Sequence, residues 1–132
     1  MNRFSLFFLG IFFCFSLFSQ NAINQFDSNG KKNGPWKGYH DSTKKNLKYE
    51  GVFSHGKEKG EFTFYKLKDN KSYIACKRIF NGSFSEVTFY TPKGKELSKG
   101  RMRANNRIGK WVYFYEGTDN LMLEENYEKR GC

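Results

Sequence analysis

Histidine is almost missing from this 132-residue chain: His40 and His55 are its only two, and they stand in unrelated loop contexts. A metal centre needs several His, Cys or carboxylate ligands to converge. With so few histidines and no CxxC pair among the three cysteines, no metal is expected. Nucleophilic catalysis lacks support as well, because Cys76 in "YIACKRIF" has no histidine close in sequence to serve as its base. Glu124 and Glu125 are neighbours on one strand and point to opposite faces, so they cannot flank one substrate bond. Apolar residues at a period of 3.6 are also scarce after residue 19, which leaves little room for helix. The chain is expected to be a non-enzyme that uses no cofactor.

Long apolar runs are confined to the start. Arg3 precedes fifteen apolar or small residues, Phe4 to Phe18, and Ser19 then offers a small side chain for cleavage. A spanning helix needs about 20 apolar residues. The layout is that of a secretory signal peptide over 1–19, leaving a single domain over 20–132 with Gln20 first. Retention of the segment as an anchor is the alternative. The expected location is therefore outside the cytoplasm, periplasmic or secreted. Cys14 would leave with the signal, so Cys76 and Cys132 are the two thiols of the mature chain. In an oxidising compartment they could pair with each other, but a terminal cysteine sits where chains are usually mobile.

Negative charge is in short supply too. Lys and Arg number 23 against 13 Asp and Glu, a net charge of +10, which falls to +9 when Arg3 is lost with the signal. Such a balance suits either simple solubility or attraction to something anionic, such as a phospholipid surface, an acidic glycan or an acidic protein. Export argues against nucleic acid as the partner.

What the chain does have is glycine and aromatic residues at a fixed spacing. "GEFTFY" (60–65) and "SEVTFY" (85–90) align, as do "GPWKGY" (34–39) and "GKWVYF" (109–114). Their leading positions are Gly34, Gly60, Ser85 and Gly109, and two residues beyond each comes Trp36, Phe62, Val87 or Trp111. A period near 25 residues with matched offsets marks a repeat protein. Each unit reads as strand, tight turn, strand, with "SNGKKNG" (28–34), "SHGKEKG" (54–60), "NGS" (81–83) and "ANNRIG" (104–109) as the turns. Asn-Gly pairs at 29–30 and 33–34 supply the positive φ angles that two-residue hairpin turns demand. Alternation then places Trp36, Phe62, Phe64, Val87, Phe89 and Trp111 on one face of a sheet and Thr63, Tyr65, Thr88 and Tyr90 on the other. The glycines are not those of a phosphate-binding loop, which opens a helix.

The stretch "YEGVFSHGKEKG" (Tyr49 to Gly60) resembles the MORN repeat, with its Tyr-x-Gly start and two further glycines. Residues 24–130 as a whole are similar to bacterial MORN-variant proteins, many of which carry an antitoxin label. In the fourth unit the middle glycine is replaced, and in the third Ser85 stands for the leading glycine. The resemblance implies an all-β fold, an elongated antiparallel sheet of consecutive β-hairpins. It also implies a scaffold that binds a partner, with a protein partner as the first expectation. An anionic envelope surface, lipid or glycan, is the second.

Two surfaces are candidates for that role. Lys31, Lys32, Lys57, Lys59 and Arg107 recur in the turns before the aromatic strands, so they are expected to line one long rim. At the other extreme, "LEENYEKRG" (123–131) reads as the first strand of a further unit, with Tyr127 matching Phe53 and Phe80. A strand left unpaired there would be open to strand addition by a partner or by a second copy, with Cys132 placed to lock a homodimer.

Overall fold

The computed structural model describes residues 22–127; the expected signal over 1–19, Gln20 and Cys132 lie outside the described residues. Nine strands succeed one another and each pairs antiparallel with the next in a single open sheet. They are β1 (Gln25–Phe26), β2 (Lys32–Tyr39), β3 (Leu47–Ser54), β4 (Lys57–Lys68) and β5 (Lys71–Asn81), then β6 (Phe84–Tyr90), β7 (Glu96–Arg103), β8 (Asn106–Phe114) and β9 (Leu121–Tyr127). No helix occurs among the described residues. The fold is the all-β array of consecutive hairpins that the repeat implied.

The leading positions fall in register. Gly34 pairs with Phe53, Gly60 with Phe80, Ser85 with Met102 and Gly109 with Tyr127, so Tyr127 does occupy the Phe53 and Phe80 position. Four residues after each leading position the partner strand carries one extra residue: Lys48, Ala75, Leu97 and Met122. A bulge of this kind bends a strand and tightens its twist. Its recurrence in all four hairpins gives the sheet the same deformation at every unit.

A second irregularity explains the glycines. Between β3 and β4 the register passes from Glu50–Thr63 to Val52–Lys59, so Gly51 alone faces Gly60, Glu61 and Phe62. Between β7 and β8 it passes from Lys99–Val112 to Arg101–Ile108, and Gly100 faces Gly109, Lys110 and Trp111. The two glycines in each place have different reasons. Gly60 and Gly109 have φ of +66° and +62°, and a Cβ there would meet nothing within 4 Å, so backbone conformation selects them. At Gly51 an added Cβ would lie 2.5 Å from the Phe62 ring, and at Gly100 it would lie 2.4 Å from the Trp111 ring. There the ring occupies the space that a side chain would take.

The turns are accordingly shorter than the sequence suggests. His55 and Gly56, with φ of +48° and +87°, make the β3–β4 turn alone, and Lys57 to Gly60 already belong to β4. Gly34, at +85°, is likewise inside β2 and not in a hairpin turn, because a positive φ serves a bulge as well as it serves a turn. Between β1 and β2 the carboxylate of Asp27 accepts from the N–H groups of Asn29 and Lys31 at 2.8 and 2.9 Å. His55 Nδ1, 2.8 Å from the same carboxylate, must carry its proton on that nitrogen, which ties this loop to the β3–β4 turn. The Lys31 N–H and then the His55 ring hold Asp27 below the usual carboxylate range.

The aromatic face is assembled as alternation predicts. Phe26, Trp36, Phe53, Phe62 and Phe80 form an edge-to-face chain with ring centroids 5.0 to 6.2 Å apart. Phe62 and Trp111 are fully buried. A buried indole needs an acceptor, and Trp111 Nε1 donates to the Arg101 carbonyl at 2.8 Å, as Trp36 Nε1 does to Gln25 at 3.0 Å. On the opposite face Glu61 and Lys77, and Lys110 and Glu124, form ion pairs. Replacing Trp111 with Ala is expected to cost about 3–5 kcal/mol. Replacing exposed Lys93 with Ala should stay within about 0.5 kcal/mol. Urea unfolding midpoints of the two variants check the assignment, and equal midpoints would contradict it.

Candidate functional site

The basic residues of the turn row separate into two groups. Lys31, Lys57 and Lys59 are exposed, and none is in an ion pair among the described residues. The Lys31 stem also lies against the β3–β4 turn, 3.4 Å from where a Cβ on Gly56 would stand. Lys32, half-buried, and Arg107, exposed, also reach over the aromatic face. Lys32 Nζ lies 4.6, 5.5 and 5.2 Å from the ring centroids of Trp36, Tyr49 and Phe53, and donates to Tyr49 Oη at 3.1 Å. The Arg107 guanidinium lies 4.8, 5.8 and 6.0 Å from those of Trp111, Tyr113 and Tyr127. Both stand two residues before a leading glycine whose unit carries tryptophan, and Glu58 holds that position in the phenylalanine unit. A cation over an electron-rich ring face is attracted to it. Lys32 and Arg107 therefore act first as lids on the two indoles.

Tyr127 belongs to a small polar cluster. Its hydroxyl donates to the Glu125 carboxylate and stands 3.0 Å from Tyr113 Oη, which therefore donates to it. Burial, then this hydrogen bond, pushes the Tyr113 phenol up to about 12. The neighbouring stretch of β9 is different in character. Leu121, Met122 and Leu123 are consecutive and each is 43–50% exposed, on a strand that pairs only with β8 among the described residues.

A further feature was not foreseen from the sequence. The middle of the aromatic face holds an open groove of about 480 Å³ over Phe64, Cys76, Val87, Phe89 and Met102. It lies where the repeat departs from its own pattern. Unit 3 has Val87 where the others have Trp36, Phe62 and Trp111, and β5 and β6 pair without the glycine bulge. Arg78 faces Val87 there, where Gly51 faces Phe62, and its Nε donates to the buried Ser85 Oγ at 2.6 Å. The three departures (Arg78, Ser85 and Val87) form one substitution, because a small residue at 87 no longer needs a glycine beneath it. Degeneracy in one unit was visible in the sequence; that it hollows the aromatic face emerges only from the register. Burial pushes the Cys76 thiol at the groove floor up to about 11, against the pull of nearby Arg78 and Lys66.

Among the described residues no group of three or more His, Cys, Asp or Glu is placed to hold a metal ion. Against known protein families, curated proteins and solved structures the chain has no significant match.

If Arg107 caps the Trp111 indole, Arg107→Ala should destabilise by about 1 kcal/mol. Lys59→Ala, at an exposed position, should change stability by less than about 0.5 kcal/mol. Thermal unfolding of the two variants separates a capping residue from a free rim charge.

Proposed function

We propose that this chain is an exported, non-catalytic scaffold whose hairpin-repeat sheet binds a protein partner. The observation that carries the proposal is the edge strand β9, where the exposed Leu121, Met122 and Leu123 place apolar side chains along the edge, Leu121 and Leu123 on opposite faces of the sheet. Apolar side chains next to free backbone N–H and C=O groups are what strand addition uses, the ladder supplying affinity and the side chains specificity. The resemblance of Tyr49 to Gly60 to a MORN repeat supports the same reading, and an antitoxin-type pairing is one form the partnership would take. A second copy of the chain is another, with Cys132 available for an intermolecular bond.

A second reading, binding to an anionic lipid or glycan surface, is supported by the exposed Lys31, Lys57 and Lys59. Arg107 is exposed as well and lies over the Trp111 ring, while Lys32 is half-buried over Trp36. Salt distinguishes the two, because exposed charges are screened beyond about 8 Å at physiological ionic strength while apolar contact is not. Residues 20–132 would serve as bait in an envelope extract, with Leu121→Lys/Leu123→Lys and Lys57→Glu/Lys59→Glu as comparison baits. The protein-partner reading expects one partner retained at high salt and lost only with the leucine variant. Loss of all capture at high salt, or loss with the lysine variant alone, would favour the anionic surface. Intact mass of the exported protein tests the leader, with Gln20 expected as the first residue.

A further inference from the structure

The groove on the aromatic face has a composition that neither reading of the rim or the β9 edge uses. Its floor is apolar: Phe64, Ala75, Val87, Phe89 and Met102. Its charged lining residues all carry the same sign. Lys48, Lys66 and Arg78 border it, His40 lies beside them, and no Asp or Glu does. Lys48 and Lys66 are exposed, and neither is in an ion pair among the described residues. Arg78 is partly committed, to Ser85 Oγ and to the Ala104 carbonyl, whereas the two lysines have no such attachment. On the opposite face of the same sheet several lysines pair with glutamates, as in Lys37–Glu50, Lys77–Glu61 and Lys110–Glu124. Lys48 and Lys66 thus leave an uncompensated positive border on an apolar trough.

We propose that the groove binds a single-chain anionic amphiphile, a long-chain fatty carboxylate, with its alkyl chain over Val87 and Met102 and its headgroup between Lys48 and Lys66. The volume, about 480 Å³, falls within the range of small-ligand sites, roughly 300–1,000 Å³, and suits one alkyl chain better than a two-chain lipid. The charge complements a carboxylate, since a hydrogen bond between an ammonium and a carboxylate is among the stronger ones available. An alkyl chain would also cover the apolar surface that the small Val87 leaves open in place of an aromatic ring. The site does not depend on the partner proposed for β9, which is on a different part of the sheet.

Cys76 gives the test a local reporter. In a Cys14→Ser/Cys132→Ser background Cys76 is the only thiol, and at mildly alkaline pH its modification by a disulfide reagent can be timed. Laurate, kept below its micelle concentration, should slow that modification, and acetate or dodecyltrimethylammonium should not. Titration calorimetry of the same chain should show laurate binding weakened about tenfold or more in Lys48→Ala/Lys66→Ala. Dodecyl maltoside, which has the same chain and no charge, should bind weakly and equally to both. Both lysines are exposed, so the variant should unfold at the parent's midpoint. Equal protection by the anionic and cationic amphiphiles would overturn the proposal. So would laurate affinity that the lysine variant leaves unchanged, or no protection by laurate at all.

Discussion

An aromatic ring laid flat against a glycine on the neighbouring strand is the contact on which this sheet depends. Phe62 lies over Gly51 and Trp111 over Gly100, each closer than a Cβ would permit. A single sheet has no second layer to bury its aromatic residues, so they must be buried by the strand beside them. Removing the neighbour's side chain lets the ring sink to the backbone. The positive-φ glycine two residues earlier then inserts the extra residues that carry the ring across to its platform. Each unit therefore needs two glycines, one chosen for conformation and the other for space. In the first unit Asn24, at φ +60°, pairs its carboxamide with the Lys37 N–H and C=O, at 2.8 and 3.0 Å, beside Trp36 in sequence.

Unit 3 has given this contact up, and the hairpin segment between its two marker positions is shorter as a result. Gly60 comes nine positions after Gly51 and Gly109 nine after Gly100, but Ser85 comes only seven after Arg78. Without a large ring at 87 there is no bulge, and without the bulge the hairpin is shorter by the residues the bulge would hold. The shortening keeps the strands in register on both sides of the weak unit, so the sheet continues while its aromatic face is interrupted. A local loss of packing thus becomes a concave site, bordered by cations with no carboxylate among its lining residues.

The repeat made much of this legible. The leading positions, the aromatic face and the place of Tyr127 could be read from spacing, because strand pairing preserves offsets along the chain. Turn extents could not be read as well: glycine with positive φ looks the same in sequence whether it closes a hairpin, as Gly56 does, or opens a bulge, as Gly60 does. The contact of two rim residues with the indoles was hidden for another reason. Lys32 and Arg107 are charged and stand next to turns, but they also stand two residues before a positive-φ glycine and lie over an indole. The groove was the least visible feature, since it arises from what Val87 lacks relative to its equivalents. The recurring one-residue bulges at Lys48, Ala75, Leu97 and Met122 carry no common residue type, so nothing in the sequence marks them.

The ring-over-glycine contact is tested most directly by a double-mutant cycle on Gly100 and Trp111 in urea unfolding. If the glycine exists to seat the ring, Gly100→Ala should cost several-fold more stability beside Trp111 than beside Trp111→Val, the residue type that unit 3 carries at this position. A coupling of about 1–3 kcal/mol would support the account. Additive losses, with Gly100→Ala costing the same whichever residue faces it, would mean that strand flexibility and not the seated ring is what the glycine provides.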